Sequence, residues 1–421
     1  MRVYNLFPLL AGPFLRWNEH FCRAAELGFD WIFVNPVQQP GMSGSLYAIR
    51  DYFQFHPLLL DPASVAGPEE QVRQMRDQAR TAGLKIMIDL VVNHCAVDSP
   101  LIGEHPLWFA WEADGRVAHP SCYHNGQHIV WGDLARFDHR GTRDPEGLYR
   151  YCLRVVEHLL RIGFDGFRCD AAYQIAASFW RRLIRDVKAK HPQVVFVAET
   201  LGCTPEQTKT TARAGFDYIF NSVKWWDFSN PWLIEQYNLV RETVPSISFP
   251  ESHDTPRLCE ELAGNIAGMK QRYLFTALFS AGVMMPMGFE FGSRKPLHVV
   301  DTRPGDWQRD GIDLCPFIRQ VNALKRAQRV FCEESAMDLL PCGNPHVLLM
   351  RKVAIHGGQR ALLILNKDIC RHQEFYADHF RDLIGPGRAL RDASPEHARD
   401  RVPEPFHYGL RPGQGIVLVQ G

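Results

Sequence analysis

The sequence predicts an α/β fold: a (β/α)8 TIM barrel over residues 1–330 with an inserted subdomain at 93–144 after strand three, then an all-β domain, a β-sandwich, over 331–421. Three observations lead there. Short apolar runs alternate with helical periods eight times in succession. Polar and ionisable residues gather at the C-terminal ends of those runs, where such barrels build their sites. After about Phe331 the rhythm gives way to short apolar runs punctuated by Gly and Pro, at Val347–Val353, Arg360–Leu365 and Ile416–Val419. A doubly wound open sheet is the alternative, but no G-x-G-x-x-G follows the first strand.

Val3–Pro8 opens as a buried strand, followed by a helix over Arg16–Leu27 whose apolar face holds Phe21, Ala24 and Ala25 and which stops at Gly28. Trp31–Pro36 is largely apolar, as strands of a parallel sheet covered on both faces are. A loop rich in Gly, Ser and aromatics runs from Val37 to Tyr52. A polar helix over Pro68–Ala82 stops at Gly83, and Lys85–Val92 is strand three. From Asn93 to about Asp144 the pattern breaks into Pro, Gly and His residues with no long periodic helix, which marks the insertion. The rhythm resumes with a helix at Gly147–Arg161 and strand four at Phe164–Asp170. A helix at Ile175–Lys190 and strand five at Val194–Glu199 follow, then a helix at Pro205–Arg213 and strand six at Phe216–Phe220. Pro231–Val244 is helical in pattern, Ser246–Phe249 a short strand and Leu262–Ala281 a long apolar helix. Val283–Met287 is strand eight and Cys315–Gln328 the last helix.

Composition narrows the function. Hydrophobic residues at 46% and charged residues at 22% are those of an ordinary globular chain. Lys+Arg 47 against Asp+Glu 47 leaves no global field for nucleic acid or an anionic membrane, so neither is an expected partner. The eleven cysteines form no C-x-x-C pair, which favours a reducing cytoplasm. Asn5, Pro8 and Pro13 interrupt the apolar N-terminus, which reads as a strand rather than a leader. No stretch has the uninterrupted apolar length of a membrane span.

The chemistry centres on Gly163-Phe-Asp-Gly-Phe-Arg-Cys-Asp170. Alternation along a strand points Arg168 and Asp170 the same way and Cys169 the other. A guanidinium beside a carboxylate keeps it ionised, as a nucleophilic carboxylate must be. Strand three ends in Asp89-Leu-Val-Val-Asn93-His94 with Asp89 and Asn93 on one face, and strand five ends on Glu199. Strand seven runs into Ser252-His253-Asp254, and strand eight into Glu290. Several carboxylates at one barrel mouth are costly unless ion pairs or chemistry hold them, and Arg168, His94 and His253 are the cations at hand. An ordinary structural network is the alternative for any one of them.

Four segments, Asp89-Leu-Val-Val-Asn-His94, Gly163–Asp170, Val195-Phe-Val-Ala-Glu-Thr200 and Ser252-His-Asp254, resemble in order the motifs of the α-amylase superfamily, glycoside hydrolase family 13. The resemblance spans the barrel and extends to the layout of the terminal β-domain. It implies Asp170 as a nucleophile forming a covalent glycosyl-enzyme and Glu199 as general acid, then base. It implies Asp254 as a carboxylate that binds sugar hydroxyls and distorts the ring, and Arg168 as the group orienting Asp170. His94 and His253 would bond hydroxyls of the sugar at the cleavage point, Asp89 belongs to the same substrate-binding set, and Tyr47 would stack beneath that sugar. Retention of α-configuration follows, with the two carboxyls about 5 Å apart. Trp131-Gly-Asp133 resembles a further motif near the groove, and the tandem Trp225–Trp226 is either a sugar platform or packing.

The implied partner is an α-glucan or maltooligosaccharide. No cofactor is required, although many members bind structural calcium through the first motif's asparagine, here Asn93. A zinc site is not expected, because among His94, His105, His119, His124, His128 and His139 only His124 and His128 have ligand spacing, across a turn-like Asn-Gly-Gln. Two departures matter. Hydrolytic members usually place Lys-His three and four residues after the nucleophile to grip the acceptor sugar, where this chain has Tyr173 and Gln174. The Gly44-Ser-Leu-Tyr47-Ala-Ile-Arg-Asp51-Tyr-Phe53 loop is closer to the maltosyltransferase branch, yet that branch usually has Asn after the nucleophile, where this chain has Ala171. The expectation is a retaining enzyme cleaving or transferring α-1,4-glucosidic (maltosyl) units. An amylase- or α-glucosidase-type hydrolase, a disaccharide isomerase and a non-catalytic binding subunit are the alternatives.

Overall fold

Eight parallel strands close into a barrel in the computed structural model, which describes residues 1–124, 127–309, 311–385 and 390–420, with backbone only for Tyr123 and His124. They are β1 (Arg2–Leu6), β2 (Trp31–Val34), β3 (Lys85–Leu90), β4 (Gly166–Cys169), β5 (Val195–Ala198), β6 (Tyr218–Phe220), β7 (Ser246–Ser248) and β8 (Gly282–Pro286). Each pairs with its sequence neighbour, and β1 pairs with both β2 and β8 to close the ring. The helices between them are α1 (Asn18–Glu26), α2 (Pro68–Thr81), α3 (Pro145–Ile162), α4 (Ala177–Lys190), α5 (Pro205–Ala212), α6 (Trp232–Val240), α7 (Ile266–Phe279) and α8 (Cys315–Ala327).

Alternation along the strands sorts the barrel interior into layers. Val3, Trp31, Phe33, Met87, Val197, Phe220, Ile247 and Met284 form one buried apolar cluster inside the ring. Two residues further on along their strands stand Asn5, Asn35, Asp89 and Glu199, and β4 carries Arg168 to the same level. Register does the rest, because Arg168 pairs with Asp89 on β3 and with Val197 on β5. Cys169 faces outward into the helical layer's core. Two glycines make β4 possible. Gly163 ends α3 at φ 113, a left-handed geometry that side chains resist. A Cβ on Gly166 would meet Val195 O at 2.7 Å and Trp31 at 3.3 Å, so only glycine lets the strands and that indole share the narrow interior.

Three elements depart from expectation. The loop after β2 contains a hairpin, Gln38–Pro40 with Ile49–Phe55, whose register shifts hid it from a period-two reading. The helix expected at Leu262–Ala281 starts at Ile266, because Ala263 and Gly264 take positive φ and the Asn265 side chain caps the Gly268 N–H. The insertion is built from short two-stranded pieces, His94–Ala96 with Leu134–Arg136 and Ser121–His124 with Gln127–Val130.

The C-terminal region is a five-stranded antiparallel sheet, ordered β9 (Ala336–Leu340), β10 (Val347–Val353), β11 (Arg360–Asn366), β15 (Gly415–Gln420), β13 (Arg391–Asp392). A two-stranded sheet, β12 (Gln373–Ala377) with β14 (Phe406–Leu410), accompanies it. Both faces of the larger sheet are buried, which is why its central strands read as unbroken apolar runs. Val347, Leu349, Leu362, Ile364, Ile416 and Leu418 pack on Phe375, Phe380 and Phe406. Their alternates Leu348, Met350, Leu363, Leu365, Val417 and Val419 join the barrel's helical core. Among the described residues no helix is long and apolar enough to cross a membrane.

Candidate active site

The motif residues converge on Arg168. Its Nη1 donates to Asp89 Oδ1 and Oδ2 (2.9 and 2.8 Å) and to Asp170 Oδ1 (2.7 Å), and its Nη2 lies 3.0 Å from Glu199 Oε2. The guanidinium is 3% exposed, so one buried cation serves three carboxylates. Burial alone opposes its charge, but Asp89, Glu199 and Asp170 outweigh that and push its pKa well above the ordinary value. The second oxygen of Glu199 takes no part in this clamp, since the Ala171 N–H also donates to Oε2, at 2.7 Å.

The carboxylates do not titrate alike. Burial pushes Asp170 up to about 6, with Arg168 opposing and the charges of Asp89 and Asp254 adding. Burial pushes Glu199 up to about 7, Arg168 and the Ala171 N–H opposing while Asp170 and Asp254 add. Asp89 is also raised by burial, against Arg168. Asp254 goes the other way: burial would raise it, but His253 and Arg168 hold it below the usual range. Near neutrality this leaves one carboxylate of the central pair readier to hold a charge and the other readier to hold a proton.

One wall is a hydrogen-bonded chain. Asn35 Nδ2 donates to the Tyr47 hydroxyl (2.9 Å), which donates to Asp89 Oδ2 (2.8 Å) and lies 2.7 Å from His253 Nε2. His253 Nε2 is 3.0 Å from Asp254 Oδ2, and its ring lies parallel to that of Tyr47, centroids 5.9 Å apart. Burial opposes a proton on His253, yet Asp254 and Asp89 outweigh burial and Arg168 and raise its pKa.

Expectation and geometry part company at several residues. His94 does not pair with the carboxylates: burial lowers its pKa to about 4, and neither ring nitrogen has a hydrogen-bond partner among the described residues. Asn93 turns away from Asp89, its Nδ2 donating to Gln174 Oε1 at 2.9 Å. Glu290 is buried and accepts from Tyr4 OH and the Gly288 N–H, apart from the Arg168 cluster. Trp226 is core, its indole N–H donating to Asn230 O, whereas Trp225 is 51% exposed beside Phe249. Trp131 is exposed in the insertion. Asn35 went unnoticed in the sequence, although it sits two residues past Phe33 as Asp89 sits past Met87. That shared position was the available signal.

The insertion's histidines disperse. His105 stacks on Trp108, His119 Nδ1 lies 2.7 Å from Leu134 O and His139 Nε2 lies 2.6 Å from Val92 O, while the side chain of His124 lies outside the described residues. Calcium at Asn93 does not fit the donors present. The adjoining cavity offers two guanidinium groups and a single carboxylate, Asp138, which already accepts the N–H groups of Arg140 and Gly141. A hard dication asks for six to eight oxygen ligands.

A family model described as "Glycogen debranching enzyme, glucanotransferase domain" matches residues 1–109. The alpha-1,4-glucan:maltose-1-phosphate maltosyltransferase of Burkholderia pseudomallei is 28% identical over 429 residues, covering 97% of this chain and 35% of its own length. The enzyme of that name numbered 1 in Streptomyces coelicolor is 24% identical, covering 93% and 61%. The chain is similar in sequence to these maltosyltransferases and, over its first quarter, to that glucanotransferase model. It spans about a third to three fifths of the length of these curated relatives. Among solved structures, an α-amylase from Lactobacillus plantarum superposes with TM-score 0.78 at 19% identity, covering 100% of this chain and 98% of that one. An α-amylase from Geobacillus thermoleovorans superposes with TM-score 0.79 at 14% identity, covering 99% and 98%. These two share the fold.

Proposed function

We propose that the chain is a retaining enzyme that cleaves or transfers α-1,4-glucosidic units, maltosyl units among them, by double displacement through a glycosyl-enzyme on Asp170. The observation that carries this is the shared clamp of Arg168 on two carboxylates of unequal acidity. Asp170 Oδ1 is fixed by the guanidinium, which leaves Oδ2 to attack C1. Glu199 is held through Oε2, which leaves Oε1 to carry the proton to the departing oxygen and later to take one from the acceptor hydroxyl. One guanidinium holding both groups favours the closely spaced pair of a retaining enzyme.

Tyr47, Asp89, His253 and Asp254 form the wall for the sugar at the cleavage point. The unpartnered nitrogens of His94 and His253 Nδ1 are buried polar atoms that sugar hydroxyls would satisfy. Transfer in preference to hydrolysis is supported by the names of the relatives and by Tyr173 and Gln174 standing where hydrolytic members have Lys-His.

Incubation with maltohexaose, with and without maltose 1-phosphate and against an Asp170→Ala blank, tests the reading. Redistribution of chain lengths without new reducing ends is the expected result. A net gain of reducing ends would make the enzyme a hydrolase. Turnover by Asp170→Ala at the wild-type rate would overturn the site.

A further inference from the structure

The two sides of the carboxylate pair are furnished differently. Behind Tyr173 lies a cavity of about 350 Å³ lined by Asn93, Arg136, Arg140, Tyr173, Gln174 and Gln207, among others. Its lining includes Tyr173 and Gln174 but none of Tyr47, His253 or Asp254, and the same segment, two residues before Tyr173, donates its Ala171 N–H to Glu199 Oε2 at 2.7 Å. In double displacement the acid stands on the side of the leaving and accepting oxygen. That makes this the acceptor side.

Its charge is unusual for a neutral sugar. Arg136 and Arg140 both line it, and neither has a carboxylate partner among the described residues. The one acidic lining residue, Asp138, is engaged by backbone N–H groups, and burial keeps His139 neutral with a pKa near 4. The lining therefore carries a net positive charge presented on two forked donors. A guanidinium pair of this kind suits a phosphate ester better than a hydroxyl, because bidentate charge-assisted bonds form to its oxygens.

We propose that Arg136 and Arg140 form an anion subsite that selects a phosphorylated sugar as acceptor. The proposal rests on the double-displacement reading above. In the step concerned, an acceptor hydroxyl oxygen bonds to C1 as the C1–Oδ2 bond to Asp170 breaks, and the hydroxyl proton passes to Glu199. Arg136 and Arg140 hold the phosphate and take no part in bond changes.

The test uses the full chain with maltohexaose as donor and glucose, glucose 6-phosphate or glucuronate as acceptor, products being read by mass spectrometry with Asp170→Ala as blank. Glucose 6-phosphate should be preferred over glucose about tenfold or more in kcat/KM, the worth of one good charge-assisted hydrogen bond. Arg136→Gln with Arg140→Gln should bring that ratio toward one. Both side chains are exposed, so folding is not at stake. Equal preference for glucuronate would keep the anion subsite but overturn the choice of phosphate. Asp170-dependent transfer with no preference, or a preference untouched by the double variant, would sink the anion subsite alone. No Asp170-dependent conversion with any acceptor would sink the parent reading and this one with it. In a parallel arm with maltose 1-phosphate as donor, a double variant impaired only in use of that donor would mean that the arginines serve a leaving group and that the acceptor assignment is wrong.

Discussion

Two buried arginines near the barrel mouth behave differently in the fold. Arg257 faces Glu251 one to one: its Nη1 donates to Oε1 at 2.7 Å, the Leu258 N–H donates to Oε2 at 2.5 Å and its Nη2 donates to Met287 O. Both side chains are 1% exposed. Burial raises Glu251, and Arg257, the Leu258 N–H and Lys224 pull it down, with no carboxylate among its leading influences. Arg168 serves three carboxylates, and Asp170 and Glu199 are each raised by neighbouring anions as well as by burial. The first arrangement sets one charge against one. The second carries more negative charge than its cation can neutralise, which is costly in a fold and useful in a catalyst.

The largest expected effects break the pair apart. Asp170→Ala and Glu199→Gln should each lower turnover by about 10⁴-fold or more with the fold intact, the usual scale for removing a nucleophile or its acid. Arg257→Met should instead cost about 3–5 kcal/mol of stability by stranding Glu251. Activity per folded molecule should hold. Chemical denaturation and assays on the folded fraction separate the two outcomes, and loss of catalysis in stable Arg257→Met would erase the distinction.

Stability should then respond to pH through the same carboxyl. The Glu199 carboxyl rises from an ordinary 4.5 to about 7 in the fold. A raised folded pKa means that this group's favourable share is complete below about 4.5 and is lost as pH climbs through about 7. Glu199→Gln removes that loss, so it should raise stability by about 1–3 kcal/mol at pH 8, with the gain fading toward pH 5. Thermal unfolding across that window reads it directly. A variant less stable than wild type at pH 8 would mean the anion is well accommodated.

A smaller effect separates the contributors. The pH dependence of kcat/KM should be a narrow bell, since Asp170 must lose its proton near 6 and Glu199 must keep one until about 7. Asp89→Asn deletes an anion that raises Asp170 and frees Arg168 for it. The acid limb should move to lower pH by about one unit, whatever the loss in rate. An unmoved limb would mean that another group governs it.

How much of this was legible follows from period and order. The eight strands and the placing of Arg168, Asp170, Asp89 and Glu199 needed only alternation and strand ends, because a barrel turns position along a strand into height in the ring. Asn35 obeys the same rule and was passed over because asparagine carries no charge to draw notice. The neutrality of His94 and the Asn93–Gln174 bond were beyond reach, being products of burial and of loops meeting across the mouth. The tail shows the same divide. The central strands β10, β11 and β15 announce themselves by apolar runs, whereas β9, β12, β13 and β14 present one half-polar face and depend on their partners.

The smallest prediction concerns Ala171, where the cluster meets its backbone. It sits at φ 42, left-handed for a residue with a Cβ, directly after Asp170, and that geometry aims its N–H at Glu199 Oε2. Such a conformation costs a non-glycine residue about 1–2 kcal/mol. Ala171→Gly should release that strain and lose about 0.4–1 kcal/mol of it to the freer unfolded chain, a net gain of up to about 1.5 kcal/mol. The N–H remains, so the alkaline limb set by Glu199 should stay in place. A stabilised variant with an unmoved limb locates the strain in the Cβ alone. If stability rises while that limb climbs, the methyl group was keeping the N–H on target, and the backbone after the nucleophile helps set the acidity of the proton donor.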